Sequence, residues 1–166
     1  MGYSVCMSQA TVCFLIKGGD ILLARKKRKI AEGLWNGYGG FREESDDSLE
    51  ETAIREMEEE IGVSAKIENL EKIAIISYTN KKEDGRLRDI EVHFYLVRHW
   101  VGTPRSSEEM YDPRWFSIKT LPFDEMMPSD SVWLSRALQG KKIKGAIVHN
   151  EKKEVVLSDM QEVSVF

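Results

Sequence analysis

The hydrophobic residues of this chain are grouped in short runs separated by turn residues. Four runs rich in β-branched and aliphatic residues predict β-strands, at residues 10–16, 21–25, 70–78 and 90–97. Residues 18–20 and 79–85 have the composition of turns, so we expect each pair of strands to form a hairpin. Weaker patterns predict a short strand at 115–117 and a last hairpin at 143–148 and 153–157.

Two segments have a helical period instead. A helix is predicted over about residues 48–61, where the apolar side chains of Ile54, Met57 and Ile61 share one face. Asp47 or Ser48 suits its N-cap, and Gly62 suits the position after its end, where φ is often positive. A second helix is predicted at 129–138. Strands on both sides of a helix, with much antiparallel pairing, indicate an α+β sandwich.

Composition limits the classes of function. The 166 residues are 42% hydrophobic and 31% charged, which suits one globular domain over residues 1–166. The net charge of -4 argues against binding to a nucleic-acid polymer. Cys6 and Cys13 lack metal-ligand spacing, and Cys13 is expected in the core. No leader pattern and no apolar run of about 18 residues is present, so we expect a cytoplasmic protein without a membrane partner.

The predicted helix at 48–61 carries three clustered carboxylates. Glu56, Glu59 and Glu60 lie within one arc of roughly 100° on its surface. Like charges at this spacing are unfavourable by a few tenths of a kcal/mol per pair. Mg²⁺, which prefers oxygen ligands, would compensate for them, and Mn²⁺ is a possible substitute. The alternative is a solvated acidic face with no ligand.

The surroundings of the cluster favour the metal site. Gly39-Gly40 precedes the helix, an Arg-Glu pair lies inside it, and Gly62 follows it. The segment resembles the Nudix box, Gly-x5-Glu-x7-Arg-Glu-U-x-Glu-Glu-x-Gly-U, where U is an aliphatic residue. The residues on this pattern are Arg55, Glu56, Met57, Glu59, Glu60, Gly62 and Val63.

The start of the box departs from the pattern. Counting back from Arg55 places the opening glycine on Phe41 and the first glutamate on Asp47. We therefore expect one extra residue in the loop 41–47, which leaves the helix register intact. Glu43 or Glu44 can supply the carboxylate in place of Asp47.

Stretches outside the box are similar to the mammalian-type 8-oxo-dGTP diphosphatases, the MutT-like subgroup of Nudix hydrolases. These stretches are 22–28, 34–40, 102–104, 107–110, 115–116, 121–123 and 127–131. The resemblance implies an α/β/α sandwich with a mixed sheet and a loop–helix–loop box. It also implies hydrolysis of an oxidised purine nucleoside triphosphate, such as 8-oxo-dGTP or 2-hydroxy-dATP, to the monophosphate and pyrophosphate. Water would attack the β phosphorus, and the protein would be a monomer or homodimer.

The same resemblance assigns the metal and its surroundings. The metal ligands would be Gly40, Glu56, Glu59, Glu60 and Glu109. Arg55 would orient a metal-binding glutamate; the alternative is a plain helix ion pair with Glu51, and the two are compatible. Glu109 would be a ligand or a general base, or simply part of an acidic run. Gly39 and Gly40 would let the backbone approach phosphate or metal.

Substrate contacts are predicted on other segments. Lys26, with Lys27 and Arg28 as further candidates, would reach the triphosphate, unless these are solvated loop charges. Asn36 and Asp130 would contact the edge of the purine. Asp130 would accept or share protons with N–H groups of the base, and as a neutral acid in a desolvated pocket it would also donate. The candidate walls of the pocket, or alternatively core residues, are Thr11, Ile30, Met127 and Trp133.

Three residues differ from those of the subgroup at positions expected to contact the base. Ser129 replaces one of two adjacent aspartates, and Met127 and Ile30 replace a tryptophan and a phenylalanine. Fewer polar and aromatic contacts should broaden base selection. The alternatives are therefore a normal dNTP, ADP-ribose or another nucleoside diphosphate derivative as substrate, or a non-catalytic nucleotide-sensing domain. The three histidines are scattered along the chain without ligand spacing, so we assign no chemical role to His93, His99 and His149.

Overall fold

A computed structural model describes residues 7–28 and 31–166. Within these ranges the chain forms eight strands and two α-helices. In chain order they are β1 Ser8–Lys17, β2 Asp20–Lys26, β3 Trp35–Asn36, α1 Leu49–Ile61, β4 Leu70–Lys81, β5 Leu87–Val97, β6 Met110–Ser117, α2 Asp130–Leu138, β7 Lys142–His149 and β8 Val155–Val163. Single 3₁₀ turns lie at Ile67–Asn69 and Phe123–Glu125. Both predicted helices are confirmed, and β6 is longer than the strand predicted at 115–117.

The strands form one mixed sheet in the order β3-β2-β1-β5-β4-β7-β8, with β6 also paired to β2. The β1–β5 and β4–β7 pairs are parallel, and the other pairs are antiparallel. The three predicted hairpins are therefore confirmed as β1–β2, β4–β5 and β7–β8. β3 is an edge strand of two residues that the hydrophobic pattern did not predict.

Alternation along the strands divides the core into two layers. On β1, Cys13 and Leu15 pack on the side of α1, whereas Phe14 and Ile16 pack on the side of α2. The sheet therefore lies between the two helices, which confirms the predicted α/β/α sandwich. Cys13 is fully buried and unpaired, as expected, while Cys6 lies outside the described residues. Within the described ranges no helix is long and apolar enough to cross a membrane.

Helix α1 is fixed at both ends and along one face. The Ser48 hydroxyl accepts a hydrogen bond from the backbone N–H of Glu51 at 3.1 Å, so Ser48 is the N-cap. At the other end Gly62 has φ +72°, a conformation that glycine adopts without strain. Ala53, Met57 and Ile61 are fully buried against the sheet. This anchoring determines which way the opposite, acidic face points.

We predict that Ser48→Ala lowers the free energy of unfolding by about 1 kcal/mol, because an N–H at the start of α1 loses its acceptor. Urea unfolding followed by circular dichroism measures the change. Ser45→Ala is the matched control, since Ser45 is an exposed serine of the same loop. Equal midpoints for the two variants would show that the cap does not stabilise α1.

Candidate functional site

The carboxylates predicted from the sequence line a common pocket of about 300 Å³, here called the acidic pocket. Its lining residues are Lys26, Arg28, Gly39, Gly40, Phe41, Glu43, Glu56, Glu59, Glu60 and Glu109. Glu109 joins the cluster because β6 pairs with β2, which places Met110 opposite Lys26. The backbone N–H of Lys27 also donates to the Glu109 carbonyl at 2.9 Å. Lys27 turns its ammonium group to the Ser107 carbonyl, so of the three basic residues Lys26 and Arg28 face the pocket.

The acidic residues of α1 differ strongly in exposure. Glu60 is only 2% exposed and accepts a hydrogen bond from the backbone N–H of Gly39 at 2.9 Å. Burial raises the pKa of Glu60 to about 8, although the Gly39 N–H and the charge of Lys26 act in the opposite direction. Burial also raises the pKa of Glu56. Glu59 remains largely exposed at the mouth of the pocket.

Arg55 connects these carboxylates to the loop before the helix. Its Nε and Nη2 atoms lie 3.0 and 2.9 Å from the two carboxylate oxygens of Asp46. Its Nη1 atom lies 2.8 Å from Glu56 and 3.5 Å from Glu59. The predicted pair between Arg55 and Glu51 is wrong, because the Glu51 carboxylate accepts the backbone N–H of Asp47 instead. Arg55 is therefore held in place on one side and fixes Glu56 on the other.

Asp46 is the residue that the sequence pattern missed. It is 7% exposed, and its carboxylate also accepts hydrogen bonds from the Thr52 hydroxyl and the Glu43 N–H, each at 2.9 Å. Hydrogen bonds from Arg55 hold the pKa of Asp46 well below its usual range. Neither Asp47 nor the predicted substitutes Glu43 and Glu44 occupies this position.

The position of Asp46 relocates the extra residue of the box. Five residues separate Gly40 from Asp46, as the pattern requires, and eight instead of seven separate Asp46 from Arg55. The extra residue therefore lies after Asp46, at the end of the predicted loop 41–47 or just beyond it. The box spacing from Gly40 was the signal that could have identified Asp46.

The acidic pocket has the donor set for a hard divalent cation. Carboxylate oxygens of α1 and of Glu109 line this pocket, and a Cβ on Gly40 would lie 2.5 Å from the Glu56 carboxylate, so a side chain there would displace Glu56. The Gly40 carbonyl accepts the N–H of Thr11 at 2.9 Å and keeps a second lone pair. In the described part of the chain no three acidic, histidine or cysteine side chains form a ready-made cation cluster. Glu59 lines the acidic pocket and also lies 3.5 Å from the Nη1 atom of Arg55.

A second pocket of about 210 Å³ adjoins the first and is here called the sheet pocket. The two pockets share Lys26, Gly39, Gly40 and Phe41. The remaining residues that line the sheet pocket are Ala10, Thr11, Val12, Phe14, Ala31, Asn36, Tyr78, Asn80, Ile90, Val92, Phe94, Met127, Ser129, Asp130 and His149. It is a largely apolar cleft with a few polar groups, the usual composition of a small-molecule site.

Two predicted base contacts, Asn36 and Asp130, lie in the sheet pocket. The side-chain amide nitrogen of Asn36 is buried and has no hydrogen-bond partner among the described residues. Asp130 is 7% exposed, and burial raises its pKa to about 7, while hydrogen bonding to the Met127 backbone opposes this shift. A carboxyl group with this pKa is partly neutral at physiological pH and can donate a hydrogen bond.

The residues predicted to form the walls of the base pocket differ in where they lie. Met127 lines the sheet pocket. Thr11 borders it, but strand alternation puts its side chain on the α1 face with Cys13. Trp133 is 1% exposed, and the centroid of its ring lies 4.4 Å from that of Phe94. It is therefore a core residue behind the wall of the pocket, which is the alternative to the predicted substrate contact. Ile30 lies outside the described residues.

Comparison with known proteins agrees with this geometry. A family profile described as "NUDIX domain" matches residues 7–137. This chain belongs to the Nudix family. It is 34% identical over 156 residues to a Mus musculus protein named "Oxidized purine nucleoside triphosphate hydrolase", covering 94% of this chain and 96% of that one. The Danio rerio protein of the same name is 31% identical, over 92% of this chain and 94% of its own length. These matches confirm the predicted MutT-like subgroup.

Solved structures show the same fold. A MutT protein from Bacillus halodurans superposes on this Nudix protein with a TM-score of 0.75 at 21% identity, covering 93% of this chain and 98% of that one. With the family membership, the relatives identify the chain as a pyrophosphohydrolase. Such Nudix enzymes act on small nucleotide-type substrates and generally use divalent metal ions.

We predict that Asp46→Asn lowers the free energy of unfolding by at least about 2 kcal/mol, because Arg55 loses its paired carboxylate. Since the folded-state pKa of Asp46 is depressed, its contribution is present above the unfolded pKa of about 4 and is lost progressively at lower pH. Urea unfolding at pH 7 and at pH 3 should therefore show a smaller difference from the wild type at the lower pH.

Asp47→Asn is the matched control. Asp47 is exposed, and it is the residue on which the first glutamate of the box falls when the pattern is counted back from Arg55. We expect this variant to unfold like the wild type. A larger loss of stability in Asp47→Asn than in Asp46→Asn would contradict the corrected position of the box carboxylate.

Proposed function

We propose that this Nudix hydrolase converts an oxidised purine nucleoside triphosphate to the monophosphate and pyrophosphate, with Mg²⁺ as its cofactor. The observation that carries the proposal is the junction of the two pockets. The sheet pocket, a largely apolar cleft of about 210 Å³ with a few polar groups, adjoins the acidic pocket at Gly39 and Gly40. A nucleotide whose base occupies the sheet pocket can extend its phosphates into the acidic pocket.

The acidic pocket would bind the metal and the phosphates. We assign the metal to Glu56, Glu59, Glu60, Glu109 and the Gly40 carbonyl, with Mn²⁺ as a possible substitute. When bound, the ion would neutralise phosphate charge and activate the attacking water. Arg55 orients Glu56 through their 2.8 Å contact and is itself held by Asp46.

The basic residues at the junction are suited to the triphosphate. Lys26 lines both pockets, and its positive charge already acts on the buried Glu60. Arg28 lines the acidic pocket from the same loop. We assign both side chains to phosphate oxygens, which cations bind by charge-assisted hydrogen bonds.

The sheet pocket would select the base. The free amide N–H of Asn36 and a protonated Asp130 are both donors, and an oxidised purine carries an additional carbonyl oxygen that can accept from them. The relatives from Mus musculus and Danio rerio, which match most of the chain, are named for oxidised purine nucleoside triphosphates. Ser129 is buried beside Asp130 and cannot replace a second carboxylate, so we expect broader base selection.

A substrate screen tests the proposal. Phosphate release, coupled through a pyrophosphatase, is measured with Mg²⁺ for 8-oxo-dGTP, 2-hydroxy-dATP, dGTP and dATP, and AMP release is measured for ADP-ribose. We expect the two oxidised triphosphates to have the highest kcat/KM and chelation by EDTA to stop the reaction. A preference for ADP-ribose, or turnover that survives EDTA, would contradict the proposal.

We predict that Glu59→Gln lowers kcat by more than about 100-fold, because a neutral amide weakens metal binding at the phosphates. The fold should be retained, since Glu59 is exposed. Glu58→Gln is the matched control, as Glu58 is the neighbouring exposed glutamate outside the acidic pocket. Comparable rates in Glu59→Gln and the wild type would remove the proposed metal role.

We predict that Asp130→Asn changes the order of preference among purine triphosphates more than it changes kcat on the preferred one. In the wild type, raising the pH through about 7 removes the donor proton of Asp130, so the preference for the oxidised purine should fall. In Asp130→Asn that preference should not depend on pH over this range. Steady-state kinetics from pH 6 to pH 8 measures both effects. Equal losses on every base would contradict the assignment.

A further inference from the structure

His149 occupies a position in the sheet pocket to which neither the box nor the subgroup resemblance assigns a function. It is the last residue of β7 and is 2% exposed. Its ring lies parallel to that of Tyr78, with a centroid separation of 5.7 Å and an interplanar angle of 7°. Parallel pairing of β4 with β7 places Asn80 directly beside it. All three residues line the sheet pocket.

The hydrogen bond to Asn80 determines the tautomer of His149. Nδ1 lies 3.0 Å from the Asn80 side-chain oxygen. A carbonyl oxygen can only accept, so Nδ1 carries the proton and Nε2 of the neutral ring keeps a lone pair. Burial, together with the charge of Lys153, lowers the pKa of His149 and so favours this neutral form.

Nε2 is a buried acceptor without a partner. It has no hydrogen bond among the described residues, although buried polar atoms are paired in the large majority of cases. The other polar groups of the pocket complement it, since the Asn36 amide and a neutral Asp130 offer donors whereas Nε2 offers an acceptor. A ligand that satisfies all of them presents acceptors on one edge and an N–H on another.

We propose that His149 is a specificity-determining residue whose Nε2 accepts a hydrogen bond from an exocyclic amino group of the purine, and that Asn80 is its positioning residue. The inference rests on the proposed function, because it assigns an edge of the same substrate. It predicts that the enzyme distinguishes an aminopurine from the same purine without the amino group.

The decisive comparison uses substrates that differ by one amino group. 8-oxo-dGTP is compared with 8-oxo-dITP, and 8-oxo-dATP with its 6-deamino analogue, by kcat/KM in the wild type and in His149→Phe. Phenylalanine keeps a flat ring against Tyr78 and removes the acceptor. We expect the wild type to prefer the amino compound of one pair by about 5- to 50-fold. In His149→Phe that preference should fall to within about 2-fold, mainly through a loss on the amino compound.

The outcomes separate the two proposals. Turnover of no triphosphate by the wild type would overturn the proposed function. Turnover with no amino preference in either pair, or with a preference that persists in His149→Phe, would overturn only the role of His149.

A measurement on the unsubstituted ring keeps the inference testable if His149→Phe does not fold. Nitrogen-15 NMR of the wild type should show a pyridine-type Nε2 and a pyrrole-type Nδ1, with the signal assigned by replacing His93 and His99 in turn. A non-hydrolysable analogue of the preferred amino nucleotide should shift the Nε2 signal, and the deamino analogue should not. A proton on Nε2 in the free protein, or equal shifts with both analogues, would overturn the proposal.

Asn80→Leu tests the positioning role separately. Without the side-chain oxygen, the ring should populate both tautomers, and the Nδ1 signal should lose its pure pyrrole character. The preference for the amino compound, as the ratio of the two kcat/KM values, should also fall towards the value in His149→Phe. An unchanged tautomer in Asn80→Leu would remove Asn80 from the proposal.

Discussion

The ion-pair network of Arg55 is the constraint on which the acidic pocket depends. Three carboxylates on one helical face repel one another, and two of them are buried. Arg55 offsets part of this repulsion, because it contacts Glu56 and Glu59 while Asp46 holds its other edge. Because Asp46 is itself held by Thr52 and the Glu43 N–H, the network joins the loop before α1 to the helix. The geometry of the site is therefore determined by charges that stabilise the local fold as well.

Close approach of the backbone is the second requirement. Gly39 and Gly40 pass between β1 and α1 where a side chain would collide with the Thr11 carbonyl or the Glu56 carboxylate. This passage brings the Gly39 N–H to Glu60 and leaves the two pockets in contact. A side chain at Gly39 would collide with the backbone of β1, and one at Gly40 would displace the Glu56 carboxylate. The small size of these residues, and not a positive φ, is what the site uses.

The sheet pocket differs from the acidic pocket in how its polar groups are satisfied. In the acidic pocket Glu56 and Glu59 are paired with Arg55, and Glu60 accepts the Gly39 N–H. In the sheet pocket the Asn36 amide and the His149 Nε2 are buried without partners among the described residues, and the Asp130 carboxyl is partly neutral at physiological pH. Unpaired buried groups are unfavourable until a ligand supplies partners, so such a site discriminates among ligands by their hydrogen-bonding edges.

The amino-acid sequence by itself determined the α+β class, the three hairpins, both helices and the acidic face of α1, because each follows from local periodicity, turn residues and caps. It left two candidates for the carboxylate that holds Arg55, because counting from Gly40 gives Asp46 and counting back from Arg55 gives Asp47. The contacts of Arg55 decide for Asp46. Trp133 and Phe94, and His149 and Asn80, meet only through packing and parallel strand pairing across the sheet. Contacts between distant segments have no local period, so the tertiary structure alone decided which polar atoms face the substrate pocket.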